Sequence, residues 1–303
     1  MTLRHYLIES DLSADEFRQL IKRAQELKSL TQQGDSYTPL TARTLAMIFE
    51  KSSTRTRVSF ETGMTQMGGH AIYLSPNDTQ LGRGEPLEDT ARVLSGMVDL
   101  IVIRTFSQRA MANFASQASI PVINGLTDYC HPCQLLADMQ TFFHHRGDIA
   151  GKQVTWVGDG NNVCNSYIIT AKLLGYHLRI ACPKGYEPDA GLVADAGSHV
   201  SFVESPAAAC EGADLVVTDV WSSMGQEAEQ LIRKEAFADY CVTPELMALA
   251  NGDALFMHCL PAHRGEEVSA AVLDSEQSVV WEEAGNRLHS QKALMEFLLQ
   301  TAA

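Results

Sequence analysis

No apolar run in this chain approaches the length needed to cross a bilayer, and the N-terminal MTLRHYLIESDLS lacks the apolar centre of a signal peptide, so a cytoplasmic protein is expected. Positive charge is scarce. The 23 Lys and Arg stand against 37 Asp and Glu, a formal net charge of -14, which argues against general attraction to nucleic acid or to an anionic membrane surface. Any anion site must therefore be a local concentration of cations. With only 10 prolines and 21 glycines, and 45% hydrophobic residues, the composition is that of a globular protein rather than a disordered one. No short repeat or low-complexity tract interrupts it. The seven cysteines are odd in number and irregularly spaced, which fits reduced thiols and not a disulfide framework. Cys130 and Cys133 form a single CxxC with no second pair to complete a zinc site, and no other ligand cluster calls for a metal, so neither metal nor cofactor is expected.

What the chain does have is alternation. Short runs rich in β-branched and apolar residues at 44–49, 71–74, 100–106 and 120–123 are separated by helical patterns at 54–67, 87–97 and 109–117. A second series of predicted strands, at 153–157, 178–182, 200–203, 215–220 and 255–258, follows with helical segments between them. This is the signature of an α/β protein. Because 303 residues exceed the usual size of one core, two doubly wound parallel-sheet domains linked by helices are expected. The polar stretch HRGDIAG (145–151), after the amphipathic segment 132–144, marks the break, giving domains over 1–147 and 148–286. Leu288, Ala293, Leu294, Phe297 and Leu298 recur at helical spacing, so 287–303 is predicted as a closing helix that packs back on the first domain. In open parallel sheets ligands gather beyond the carboxyl ends of the strands.

The loop after the first strand is the densest in donors. FEKSSTRTRVSF (49–60) holds three cations and five hydroxyls between apolar flanks, and Phe60, Met64 and Met67 recur at helical spacing until Gly68-Gly69. It is a strand-to-helix turn, where unpaired backbone N–H groups and the helix dipole favour negative charge. Two readings stand. Ser52, Ser53 and Thr54 can simply cap the helix, which accounts for one hydroxyl; or Arg55, with Ser53, Thr54 and Thr56, forms a cradle for a phosphate group. GxxxxGK[ST] is absent, so this is no Walker loop.

Elsewhere the bland readings are just as available. Arg104 is a charge at a strand end, His131 a helix cap or core histidine, Asp219 a helix cap, Cys259 an inert buried thiol, and 78–85 a glycine-hinged surface loop. GDGNN (158–162), after the strand QVTWV, invites a dinucleotide reading. It fails because the third glycine is missing and the next strand ends Ala-Cys-Pro-Lys without the acidic residue that holds ribose.

Taken together, the motifs resemble one family. FEKxSTRTRxSFE is similar to the carbamoyl phosphate loop of the aspartate/ornithine transcarbamylases; HPCQLLAD matches their His-Pro-x-Gln motif, HCLP (258–261) recurs unchanged, and EEAGNR carries the late arginine. The motifs run in order from about Leu45 to Arg287, and Ser223-Met224-Gly225 is the signature of the ornithine branch. The resemblance implies that Ser53, Thr54, Arg55 and Thr56 hold the phosphate of carbamoyl phosphate, while Lys51 and Arg57 shape the turn. It further implies that Arg104 bridges carbonyl and phosphate oxygens, that His131 faces the carbonyl oxygen and Gln134 the amide, and that Arg287 reaches back to the same substrate. Cys259 and Leu260 would contact the carbamoyl group and the incoming amine; Asn162, Asp219, Ser223 and Met224 would receive L-ornithine. On this resemblance Arg104, His131, Cys259 and Asp219 would be the catalytic residues. Gln80 would be lent to a neighbouring subunit, which implies a homotrimer or a multiple of trimers.

The implied reaction is transfer of the carbamoyl group to the δ-amine, with carbamoyl phosphate binding first. Attack on an acyl carbon pushes charge onto oxygen, and Thr56, Arg104 and His131 would form the oxyanion hole. Two other functions are carried alongside: a transcarbamylase for another amine such as putrescine, and a non-catalytic binder of carbamoyl phosphate or an amino acid.

Overall fold

The computed structural model describes residues 3–75, 86–222 and 229–302. The chain divides into two compact units, Met1–Gln140 with Gly285–Ala303, and Thr141–Ala284.

In the first unit, α1 (Ala14–Gln33) starts at a capping box. Ser13 Oγ accepts the Glu16 N–H, Glu16 accepts the Ser13 N–H, and Phe17, Leu20, Ile21, Ala24 and Leu27 form the buried face. Next come β1 (Thr44–Phe49), α2 (Thr54–Gln66), β2 (His70–Leu74), α3 (Leu87–Ser95), β3 (Leu100–Arg104), α4 (Gln108–Gln117) and β4 (Val122–Leu126). The strands are parallel in the order β2-β1-β3-β4. LIVIR of β3 is buried throughout and TLAMIF of β1 from Leu45 onward, as strands covered on both faces must be. On one face Ala46, Ile48, Ile101 and Ile103 join Ala91 of α3 and Met111, Phe114 and Ala115 of α4. The order reverses between β1 and β3, the switch point at which such sheets open a crevice. Phe49 and Arg104 are register partners there, and the Glu50 N–H donates to the Arg104 carbonyl at 2.8 Å.

The second unit contains β5 (Gln153–Val157), α6 (Asn162–Leu174), β6 (His177–Ala181), α7 (Ala190–Ala196), β7 (Val200–Phe202), α8 (Pro206–Cys210), β8 (Leu215–Thr218), α9 (Gln230–Ala236), α10 (Pro244–Met247), β9 (Leu255–His258) and α11 (Ala270–Leu273). Its parallel sheet runs β7-β6-β5-β8-β9, so the switch point lies between β5 and β8. Val157, Val216 and Phe256 from the strands pack with Val242, Val268, Val272 and Leu273 in one apolar cluster. Two helices straddle the division: α5 (Pro132–Arg146) between Gln140 and Thr141, and α12 (Val280–Ala302) between Ala284 and Gly285. No described helix is long and apolar enough to cross a membrane.

Several elements differ from the sequence expectation: α1 is not among the expected helices, β3 and β8 end at Arg104 and Thr218 instead of 106 and 220, and two further shifts have a clear cause. β4 occupies Val122–Leu126, not 120–123. Asn124 and Gly125 are poor strand formers, but the Asn124 N–H donates to Tyr6 O at 2.8 Å and its side-chain amide to Leu7 O at 2.8 Å, while a Cβ on Gly125 would meet the Ile103 carbonyl at 3.2 Å. Tertiary partners and close approach override propensity here. The closing helix begins at Val280 instead of 287, because Gly285 reads as a breaker yet is tolerated inside a long helix.

Candidate active site

At the switch point of the first unit, the turn after β1 behaves first as a cap. Ser53 Oγ accepts the Thr56 N–H at 3.3 Å and donates to Thr56 Oγ1 at 3.1 Å. That uses one hydroxyl; Ser52 and Thr54 stay exposed and Arg55 is half-buried. The other two cations of the turn are engaged locally. The Lys51 ammonium contacts Asp128 and lies 4.4 Å from the centre of the Phe106 ring, while Arg57 bonds Glu61 at 3.1 Å and stacks 4.0 Å from the Tyr73 ring centre. Glu50 is held by the Thr105 hydroxyl.

Thr56 is 1% exposed and sits at a junction. Arg287 Nη2 donates to Thr56 Oγ1 at 3.1 Å and Nη1 to Gln134 Oε1 at 2.6 Å, and Gln134 Nε2 donates to Asp138 Oδ1 at 2.8 Å. With Ser53 and Arg287 both donating to it, Thr56 Oγ1 has its lone pairs occupied and its own proton left to give. Because α12 starts early, Arg287 projects from two turns inside a helix and not from a loop end. A group argued onto one site from motifs at 53–56, 134 and 287 is thus joined by hydrogen bonds across more than two hundred residues of sequence.

His131, just before α5, is 5% exposed, and its ring is pushed well below the usual imidazole range, first by burial and then by the charges of Arg287, Arg104 and Arg55. Those three guanidiniums therefore bear on one neutral imidazole. A neutral ring surrounded by fixed positive charge can give a hydrogen bond to an oxygen that becomes negative, without itself titrating. Cys133 nearby is no part of this chemistry: burial lifts its thiol to about 12, and its Sγ donates to the Asn124 carbonyl at 3.3 Å. Cys130 is likewise raised by burial, so the pair packs as buried, protonated thiols.

In the second unit the residues after β5, β8 and β9 converge. Asn161, not Asn162, is the N-cap of α6: its Oδ1 accepts from the N–H groups of Val163 and Cys164 at 2.9 and 3.1 Å. Its Nδ2 donates to Asp219 Oδ2 at 2.7 Å, and Cys259 Sγ donates to Asp219 Oδ1 at 3.1 Å. Asp219 is 6% exposed, so the carboxylate is oriented from both sides. Asn162 is half-buried in the first turn of α6 beside this group. Leu260 has a left-handed backbone (φ 57) followed by a cis peptide to Pro261, and its N–H donates to His258 Nδ1 at 2.9 Å. Gln80, Ser223 and Met224 lie outside the described residues.

Sequence reasoning passed over several residues that build this half. Arg233 of α9, 7% exposed, pairs with Asp159 at 3.1 Å and donates to the Trp221 carbonyl at 2.9 Å. Burial lifts the Asp159 carboxyl to about 6 even against Arg233. Two clusters of potential metal ligands also exist among the described residues, Asp219 with His258 and Cys259, and His263 with Glu266 and Glu267, each with ligand atoms within 4.8 Å of one another. Strand adjacency creates the first, which no linear spacing reveals. In it both ring nitrogens of His258 are already engaged, by the Leu260 N–H and by Glu267.

The fold and these groups define a two-unit α/β protein with grouped arginines at one switch point and an oriented carboxylate at the other. Residues 4–144 match the family model described as aspartate/ornithine carbamoyltransferase, carbamoyl-P binding domain, and residues 150–298 match its Asp/Orn binding domain. The chain belongs to the aspartate/ornithine carbamoyltransferase family. It is 61% identical over 297 residues to an ornithine carbamoyltransferase of Halorhodospira halophila (98% of this chain, 99% of that protein). To that of Methylococcus capsulatus it is 64% identical over 299 residues, covering 99% of each. Among solved structures, the ornithine carbamoyltransferase of Burkholderia thailandensis superposes with a TM-score of 0.92 at 54% identity, over 99% of this chain and 100% of that one. The Pyrococcus furiosus enzyme gives 0.92 at 46% identity, over 97% of each chain.

Proposed function

We propose that this protein transfers the carbamoyl group of carbamoyl phosphate to the δ-amine of L-ornithine, yielding L-citrulline and phosphate. The observation that carries the reading is the gathering of arginines in the first unit: Arg287 is bonded to both Thr56 and Gln134, and Arg104 and Arg55 join it in acting on the buried His131. In a chain of net charge -14, such a concentration of guanidinium groups is a receptor for a small anion of high charge. Family membership and the names of the relatives supply the substrates.

On this reading Ser53, Thr54, Arg55 and Thr56 hold the phosphate. Arg104, Thr56 and His131 meet the carbonyl oxygen, Gln134 and the Cys259–Leu260 backbone the carbamoyl nitrogen, and Arg287 braces the set. Asn162, Asp219, Ser223 and Met224 receive ornithine, with Asp219 and Ser223 matched to an α-ammonium group. Carbamoyl phosphate binds first. The uncharged δ-amine attacks the carbonyl carbon, the C–O bond to phosphate breaks as the tetrahedral intermediate collapses, and the proton shed by nitrogen balances as hydrogen phosphate. Hydrogen-bond donation from Thr56 and His131 and the charge of Arg104 stabilise the oxyanion throughout. A cytoplasmic homotrimer in which Gln80 serves a neighbouring subunit completes the proposal.

The test is phosphate release and citrulline formation with carbamoyl phosphate and, in turn, ornithine, putrescine, lysine and aspartate. Ornithine is expected to give turnover with at least about a hundredfold preference in kcat/KM, the discrimination available to a site built for a polar group. Turnover with putrescine, which keeps both amines and lacks only the carboxylate, equal to that with ornithine would overturn the assignment of Asn162 to an amino-acid carboxylate, and binding without turnover would overturn the enzyme itself.

A further inference from the structure

We infer that Glu267 is a positioning residue for the Cys259–Leu260 turn, acting through the tautomer of His258. The inference rests on the proposed role of that turn in meeting the carbamoyl group and the incoming amine. His258, at the end of β9, and Glu267 have side chains with no exposure at all, and they face one another, His258 Nε2 to Glu267 Oε1, at 3.2 Å. The Leu260 N–H donates to the opposite ring nitrogen, Nδ1, at 2.9 Å. A backbone N–H can only donate, so Nδ1 carries the lone pair and the ring proton sits on Nε2, pointing at the carboxylate.

The same oxygen, Glu267 Oε1, also accepts the His263 N–H at 2.5 Å. One buried carboxylate thus ties both ends of the segment 258–263, whose middle holds Leu260 in a left-handed conformation that a branched side chain rarely adopts. Glu267 is itself fixed by its backbone: its carbonyl accepts the Val242 N–H at 2.9 Å, and the neighbouring Val268 bridges to Val242. From the other side, Glu283 Oε2 accepts the His258 N–H at 3.0 Å. A fully buried carboxylate is costly to retain unless something requires it. Here it dictates which nitrogen of His258 is an acceptor, and that acceptor satisfies the N–H of the residue held in the unusual conformation. The carbonyls of Cys259 and Leu260 are aimed as a consequence.

The wild-type protein and two variants test this. In the wild type, long-range proton–nitrogen NMR on histidine-labelled protein is expected to show His258 neutral with Nε2 protonated; an Nδ1-protonated ring overturns the inference whatever the variants do. Glu267→Ala is expected to lower kcat for citrulline formation by about tenfold or more, as small misplacements of reacting groups do, while product inhibition by inorganic phosphate, read at the separate turn of the first unit, moves by less than about twofold. Glu267→Gln keeps an acceptor oxygen for His258 and the His263 N–H, so it is expected to recover most of the lost kcat. Equal losses of kcat in both variants, or Glu267→Ala within about twofold of wild type, overturn the positioning role. Should Glu267→Ala not fold, the NMR tautomer and the kcat of Glu267→Gln still decide. Absence of citrulline from the wild type would instead strike the reaction assignment and leave the tautomer measurement standing.

Discussion

Thr56→Val isolates one hydroxyl at the centre of the first unit's site. Valine nearly matches threonine in volume and backbone preference, so the perturbation is loss of Oγ1 from a position 1% exposed. In the unliganded protein, Arg287 Nη2 loses an acceptor at 3.1 Å and Ser53 Oγ loses one at 3.1 Å. Arg287 keeps Gln134, and the Ser53 cap on the Thr56 N–H is untouched. One buried donor left short costs about 1–2 kcal/mol, which a thermal melt registers as a few degrees. Catalysis suffers more. If the Thr56 proton is given to the developing oxyanion, its removal costs roughly a hundredfold to a thousandfold in kcat, about 2.7–4 kcal/mol. The kinetic loss therefore exceeds the stability loss, whereas a hydroxyl serving only the internal network gives the reverse. Thr56→Ser restores the hydroxyl and is expected to restore kcat to within about fivefold, since only a buried methyl is lost. Steady-state citrulline assays with melts on the three proteins decide, and a Thr56→Val enzyme within threefold of wild type in kcat refutes the argument.

Asn161→Ala removes both a helix cap and the donor to Asp219, so it is expected to cost about 1 kcal/mol in a melt and to raise the KM for ornithine about tenfold; Asn162→Ala is expected to raise that KM with the melt unchanged. A normal KM in Asn161→Ala would mean that Asp219 needs no holding. The δ-ammonium of ornithine has a reference pKa of about 10.4, and His131 is held neutral by burial and three arginines, so kcat/KM for ornithine is expected to rise with pH to an alkaline plateau with no imidazole step near 6.5. A profile flat from pH 6 to 9 would exclude attack by the free amine. His289 is held down at about 4 by burial and then by Lys292 and Lys28, so it is neutral when folded but takes a proton near 6.5 when unfolded. Its contribution to stability is present above pH 6.5 and is lost as pH falls towards 4, by about 3 kcal/mol at most. Urea unfolding of wild type and His289→Gln at pH 7 and pH 4.5 is expected to show a shallower acid loss in the variant; parallel losses contradict the assignment.

What could be read from the sequence was whatever is local. The strands TLAMIF, LIVIR and QVTWV declare themselves because burial on both faces demands continuous apolar runs, and the turn at 53–56 declares itself because its hydrogen-bond donors are concentrated within one helical turn. The capping box at Ser13 and Glu16 was equally visible, and with Phe17, Leu20 and Ile21 it marks a helix that the search for strands passed over. β4 falls at 122–126 rather than the expected 120–123 because Asn124 is stabilised by Tyr6 and Leu7, more than a hundred residues away. Asn161 and Asn162 could not be separated from composition alone, since either can cap; the cap bonds of Asn161 and its bond to Asp219 distinguish them. Arg233 and Glu267 carry no motif of their own. Their importance comes from what they touch, and partners at Asp159, Trp221 and His258 are set by sheet order rather than by spacing.

This division has a physical origin. Groups that meet a small rigid ligand must sit within a few ångströms of one another, and the cheapest way to gather several is one strand-to-helix turn, which leaves a linear trace. Groups that hold those groups in place need only be buried and hydrogen-bonded, so they can come from anywhere in the fold. Arg287 combines both kinds. It is legible as a late arginine in EEAGNR, but its contacts with Thr56 and Gln134 turn a surface-looking charge into a buried brace, 2% exposed. Gathering Arg287 beside Arg104 and Arg55 around a single imidazole opposes their mutual repulsion, and a chain with 37 acidic residues places neutral His131 there instead of a carboxylate. An incoming anion meets that positive charge, and carbamoyl phosphate stabilises the first unit as it binds.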